Sequence, residues 1–166
     1  MLDQLEVEIS QVLDDVATAD HGAGGLSDRE WTRRIKEGLC NLGKQKGFGV
    51  SAAGCAGADT GEWIFDLVWA AGQDTPWEFW EMPLAMECEW STRLDDIAWD
   101  FEKLLVAKAH HKLMVFQQAG ETDVREAMEK LKRMVAAFKA SFLTERYLLA
   151  GYAFDEHRFF YESIGV

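Results

Sequence analysis

Residues 61–91 read GEWIFDLVWAAGQDTPWEFWEMPLAMECEWS, and this stretch decides the fold class. From Glu62 to Ala70 the chain alternates: Trp63, Phe65, Leu67 and Trp69 fall on one side, Glu62, Ile64, Asp66 and Val68 on the other. That period of two is the signature of a β-strand. Pro83 to Trp90 repeats it, with Leu84, Met86, Cys88 and Trp90 on one face and Ala85, Glu87 and Glu89 on the other. The residues between, QDTPWEFWEM (73–82), read as a polar-aromatic loop, so the two strands are natural antiparallel neighbours. Glu87 and Glu89 share a face, and Asp66 sits between Ile64 and Val68 on the adjacent strand. Three acids converging in an apolar setting repel one another. The remedies are raised pKa values, Lys or Arg partners, or a divalent cation. An oxygen-only donor set favours Mg²⁺ or Mn²⁺.

Outward from this pair, Phe48 to Gly54 reads as a short strand preceded by a helix from Ser27, whose Ser-Asp-Arg-Glu start is a capping box with Glu30 at the third helical position. Trp31, Ile35, Leu39 and Leu42 form its apolar stripe, and Gly43 and Gly47 end it. Residues 2–19 carry Leu2, Leu5, Ile9, Val12, Leu13 and Val16 at helical spacing, an acidic amphipathic helix, followed by a Gly-rich break at His21 to Gly25. Downstream come a helix over 92–109, a strand KLMVFQ (112–117), a helix from Thr122 to about Lys139, and strands at 147–154 and 158–163. The order α, α, β, β, β, α, β, α, β, β predicts a single α/β domain over 1–166 with a mixed central sheet flanked by helices.

The segments GEWIFDLVW (61–69), PLAMECEWS (83–91) and DDIAWDFEKLLVAKAHHKLMVFQ (95–117) resemble the core of the PD-(D/E)XK nuclease-like, or restriction-endonuclease-like, superfamily. The resemblance spans roughly residues 28–118, between the acidic helix at 1–20 and the helix and strands of 119–166. It implies an α-β-β-β-α-β core with an Asp on the second strand and an acid-X-Lys on the third. Asp66 matches the Asp and Glu87 the acid, while Glu89 stands where the Lys belongs. Some members carry Glu-X-Glu there, and in some a Lys on the following helix replaces the missing one. Lys103, one turn after Asp100, is that candidate. Many members add an acid from the first core helix, for which Glu30 and Glu37 both stand available. The resemblance implies Mg²⁺- or Mn²⁺-dependent hydrolysis of phosphodiester bonds, in DNA, with Asp66, Glu87, Glu89 and Lys103 as the catalytic set and Glu30 as a further ligand. The competing reading is a nuclease-like fold that has lost catalysis and serves as an interaction or regulatory module.

The formal net charge is −12, which argues against a simple nucleic-acid coat protein. Its distribution is uneven: residues 59–102 hold twelve acids and one base, Arg93, whereas 28–46 hold six bases against three acids. Arg29, Arg33 and Lys36 form one basic side of that helix, suited to tracking a phosphate backbone; Lys130, Lys132 and Arg133 form a weaker second run. Trp77, Phe79 and Trp80 suit a protein partner or a homodimer better than phosphate, because Asp74, Glu78 and Glu81 surround them. His110 and His111 stand at a helix-to-strand junction, where a His interacts with the helix dipole. Cys40, Cys55 and Cys88 form neither a CxxC pair nor a zinc spacing, pointing to reduced thiols. No apolar run reaches the roughly 18 residues of a membrane span, and the acidic start does not resemble a signal peptide, so the expectation is a cytoplasmic protein.

Overall fold

The computed structural model describes residues 1–21, 26–72, 79–140 and 144–165, with the side chains of Asp20, His21 and Phe79 left aside. Four helices flank one six-stranded sheet: α1 (Gln4–His21), α2 (Asp28–Gln45), β1 (Gly49–Ala52), β2 (Leu67–Gly72), β3 (Phe79–Glu89), α3 (Leu94–Val106), β4 (Ala109–Gln118), α4 (Glu121–Ala137), β5 (Arg146–Ala153) and β6 (Arg158–Gly165). Strand order follows sequence order, β1 to β6. The centre is parallel, β3 with β4 and β4 with β5, because α3 and α4 return the chain to the same end each time. The flanks β1–β2–β3 and β5–β6 are antiparallel. The α/β class and the mixed sheet are therefore as the sequence predicts.

Each sheet face carries its own core. On one, Ile9, Leu13 and Ala17 of α1 and Trp31, Ile35 and Leu39 of α2 bury against Leu67, Trp69, Leu84, Met86, Leu113 and Val115. On the other, Ile97, Phe101 and Leu104 of α3 and Val124, Met128 and Leu131 of α4 cover Val68, Ala85, Met114, Phe116 and Leu149. Adjacent strand residues thus serve opposite cores, so both faces are dry and the central strands read as nearly continuous apolar runs. Trp69 anchors the first core: its indole Nε1 donates to the Leu39 carbonyl at 3.1 Å and its ring stacks on Phe48.

The Ser27 cap forms as expected, accepting from the Glu30 N–H at 3.3 Å. Gly43 does not end α2, which runs to Gln45. It lies inside the helix because a Cβ there would fall 2.6 Å from the Trp69 Nε1, so the glycine lets helix and indole touch. Gly47, at φ +83°, makes the exit.

The largest departure lies at 62–66. Expected as the first half of a strand, these residues turn instead, and β2 begins at Leu67. Ile64 adopts φ 66°, and the Phe65 N–H reaches back to the Trp63 carbonyl at 2.7 Å, a tight three-residue turn. Trp63 and Ile64 face solvent. The turn reverses the parity of the strand, so Phe65 enters the α3–α4 core while Leu67 enters the α1–α2 core. β3 also starts earlier than expected, at Phe79, which puts Trp80 on the strand and exposed. Trp77 and the break at 22–25 lie outside the described residues. Among the described residues no helix is long and apolar enough to cross a membrane.

Candidate functional site

Antiparallel pairing of Leu67 with Met86 places Asp66, the last residue before β2, opposite Glu87 on β3. Asp66 does not point into an apolar strand face. Its Oδ1 accepts from the Nζ of Lys36 on α2 at 3.1 Å, and its Oδ2 from the backbone N–H of Cys88 at 3.0 Å. One carboxylate thereby ties α2, the turn before β2, and β3.

Glu87 is 2% exposed. Lys103 of α3 donates to its Oε2 at 2.7 Å, while Oε1 is buried with no hydrogen-bond partner. Burial pushes its pKa up to about 7, and the nearby Asp66 adds to that; the Lys103 ammonium pulls the other way without cancelling it. Lys103 also pairs with Asp100 at 2.9 Å. Partial burial opposes its charge, but Glu87 and Asp100 outweigh that and raise its pKa. Lys103 is therefore a cation held between two acids, with 39% of its side chain open to solvent.

Glu89 lies two residues on along β3, with Asp100 beside it. Desolvation raises its pKa first and the Asp100 carboxyl adds to that, while the Ser91 N–H, which donates to Oε1 at 2.6 Å, lowers it. The connection from β3 to α3 is braced from β4: the Gln118 side chain donates to the Thr92 carbonyl at 3.0 Å and Gln117 to that of Trp90. Thr32 of α2 accepts from the Trp90 indole at 2.7 Å.

The expected residues separate here. Asp66, Glu87 and Lys103 come together, and Glu89 joins through Asp100. Glu30 instead binds Arg33 and Arg34, which hold its pKa down at about 2, and Glu37 binds Arg33 at 2.5 Å. Among the described residues no group of three or more His, Cys, Asp or Glu side chains is placed to hold a metal ion. Both Asp66 oxygens already accept hydrogen bonds, and of the pair's four oxygens the Glu87 Oε1 is the one buried without a partner.

The basic side of α2 is largely neutralised within the protein: Arg33 by Glu30 and Glu37, Lys44 by Asp59, Lys46 by Glu8. Lys36 is not on the surface at all. It is 5% exposed and reaches Asp66 and, at 3.5 Å, Glu62. Its sequence signal is the row Lys36, Cys40, Gly43, all buried along one side of α2. The stem of Lys36 lines an open groove of about 370 Å³ with Arg29, Thr32, Arg33, Ala53 and Gly54. Lys132 pairs with Glu129 and Glu162, and Lys130 with Asp95. His110 meets Glu81 and His111 meets Asp3, so both histidines bind surface or half-buried acids rather than the site. All three cysteines are free. The acidic helix α1 packs on the α2 side of the sheet, whereas Glu87 is covered from the α3 side, where Lys103 meets it.

Sequence reasoning missed a second charged cluster. Lys112 of β4 is fully buried, donating to Glu145 at 2.8 Å and to the Tyr147 hydroxyl at 3.0 Å. The signal was available, because Lys112, Met114 and Phe116 share one strand face and the other two are core. No family model, no curated protein and no solved structure matches this chain.

Proposed function

We propose that the chain is a metal-assisted phosphodiester hydrolase of the PD-(D/E)XK type, acting on a nucleic-acid backbone, with DNA as the expected substrate. The observation that carries this reading is Glu87: buried, opposite Asp66, bonded through one oxygen to Lys103 and left with the other oxygen unpaired. The run α2-β1-β2-β3-α3-β4 supports it, since it follows the α-β-β-β-α-β order of that superfamily. Lys103 supports it further, as the helix-borne lysine that stands in for the Lys displaced by Glu89.

Asp66 and Glu87 would hold Mg²⁺ or Mn²⁺, which supplies positive charge opposite a phosphate oxygen. Lys103 keeps its proton across the physiological range, so it presents an ammonium beside the carboxylates and stabilises charge on a phosphate placed there. Glu89, whose pKa is raised by burial and by the Asp100 carboxyl beside it, can hold a proton for a leaving oxygen or receive one from an attacking water. Arg29, exposed on the groove that Thr32 and Arg33 also line, offers a cation to the adjoining backbone.

A second reading, the nuclease-like fold acting as an interaction or regulatory module, draws on one specific observation. Asp66 and Glu87 each already have a lysine, and among the described residues no third carboxylate completes a ligand set. One experiment separates the two. Mn²⁺ is titrated calorimetrically into the wild type, Asp66→Asn and Glu87→Gln, and the same proteins plus Lys103→Ala are incubated with supercoiled and linear DNA in Mn²⁺. The hydrolase reading expects saturable binding lost in both acid variants, and cleavage lowered at least about 100-fold in Lys103→Ala with binding retained. Absence of both Mn²⁺ binding and cleavage in the wild type leaves the interaction reading.

A further inference from the structure

The two borders of the sheet are unequal. β1, at one edge, is four residues long, whereas β6, at the other, runs for eight from Arg158 to Gly165 and pairs only with β5 among the described residues. Natural edge strands are blunted by shortness, proline, a bulge or charges; β6 is long and has neither proline nor bulge, and its two charges, Arg158 and Glu162, are of opposite sign. An open groove of about 630 Å³ lies against it, lined by Asp14, Ala17 and Thr18 of α1 and by His157 to Tyr161. That lining includes neighbours from both faces of the strand, which places the groove along its border. Its free N–H and C=O groups await a partner strand.

We propose that β6 pairs antiparallel with β6 of a second copy of this chain, about a two-fold axis through Phe160, joining two six-stranded sheets into one. The residue pattern selects both the occupant and the register. An axis perpendicular to the sheet keeps each side chain on its own face, so the axis must pass through a residue and its own copy. Centred on Phe160, the pairing sets Arg158 opposite the second copy's Glu162, and Glu162 opposite its Arg158. Phe160 meets Phe160 between them, and on the other face Phe159, buried in its own core, stands opposite Tyr161 twice. Every cross-strand contact is then aromatic on aromatic or opposite charge on opposite charge. Moving the centre to Tyr161 sets Phe160 against Glu162 and Arg158 against Ile164, and moving it to Glu162 puts two acids face to face. Of these three registers the one through Phe160 is complementary throughout and is the one that sets opposite charges together.

The groups involved are ready for that use. The Arg158 guanidinium already lies 4.8 Å from the Phe160 ring centre, and Glu162 is held at 2.7 Å by Lys132, leaving its second oxygen for a further cation. On the opposite face the Tyr161 hydroxyl is fixed by Asp14 and the Ser10 carbonyl, which stiffens the strand before any partner arrives.

Sedimentation velocity over a wide concentration series tests this, with circular dichroism as the control for folding. The expected result is a reversible dimer in the wild type. Arg158→Glu and Glu162→Arg each set like charges opposite one another and weaken dimerisation at least about tenfold, and the double exchange restores it by rebuilding both pairs in reverse. A wild type monomeric at every concentration overturns the proposal, as does a dimer that both single variants leave unchanged. So does a double variant no better than either single one.

Discussion

Two lysine–glutamate pairs lie on the same face of this sheet and are built to different ends. Lys112 is fully buried, and its ammonium meets Glu145 and the Tyr147 hydroxyl while lying 4.6 Å from the Tyr147 ring centre. The Glu145 Oε2 is met in turn by Tyr147 at 3.1 Å. That cluster is closed: charge is balanced inside it and nothing is presented to a ligand. In the other pair Glu87 is as deeply buried, but its lysine is partly open to solvent and one of its oxygens is unmatched. A buried ion pair whose members are mutually satisfied specifies packing, whereas one left with an unmatched oxygen is available for chemistry.

The contrast is sharpest on deletion. Lys112→Ala strands the Glu145 carboxylate in a dry core and is expected to cost about 3–5 kcal/mol, read from the urea midpoint. A cost below about 1 kcal/mol would erase the distinction drawn between the pairs.

Glu87→Gln is expected to act in the opposite direction at neutral pH. Below about pH 4.5 Glu87 is protonated whether the chain is folded or not. Between there and about pH 7 the folded protein retains a proton that the unfolded chain has lost, so wild-type stability falls as pH rises, by about 3 kcal/mol across the window. Glu87→Gln removes that slope. Urea unfolding of both proteins at several pH values checks it, and parallel pH profiles would sink the assignment.

Lys103→Met is expected to cost less, on the order of 1 kcal/mol at neutral pH. Its ammonium is partly hydrated, and Glu87 can take up a proton when the cation is gone. The smallest effect lies at Ile64, a β-branched residue at positive φ with its side chain in solvent. Ile64→Gly relieves that conformation and is expected to leave stability unchanged or raise it by up to about 1 kcal/mol in thermal melts, despite the entropy glycine adds to the unfolded chain.

The open pair was partly legible in the sequence and the closed one was not read. Glu87 is legible because strand alternation holds over 83–89, Lys103 only through the resemblance to the nuclease-like core, and Asp66 through an alternation the chain does not keep. Asp66 was given the wrong surroundings because Trp63, Ile64 and Phe65 mimic a strand while forming a turn that swaps the faces after them. Lys36 was read as a surface base, since a charge count along a helix cannot see that its row also holds Cys40 and Gly43. Glu145 and Tyr147 meet Lys112 only through the β4–β5 register, which joins residues more than thirty apart. Glu30 went astray through a local competitor, because two arginines three and four residues ahead reach it before any strand does.

The crossover from β3 through α3 to β4 has a kinetic consequence. It carries Lys103, so the act of bringing β4 alongside β3 also swings that lysine onto Glu87, a contact between residues only sixteen apart. The bonds from Arg146 to Glu6, by contrast, close a loop of 140 residues. Loop-closure entropy favours the short circuit, so the Lys103–Glu87 pair is expected to assemble early in folding, before the amino-terminal helix is locked against β5. A chain arrested at that stage would already hold that ion pair while one side of its sheet was still wet.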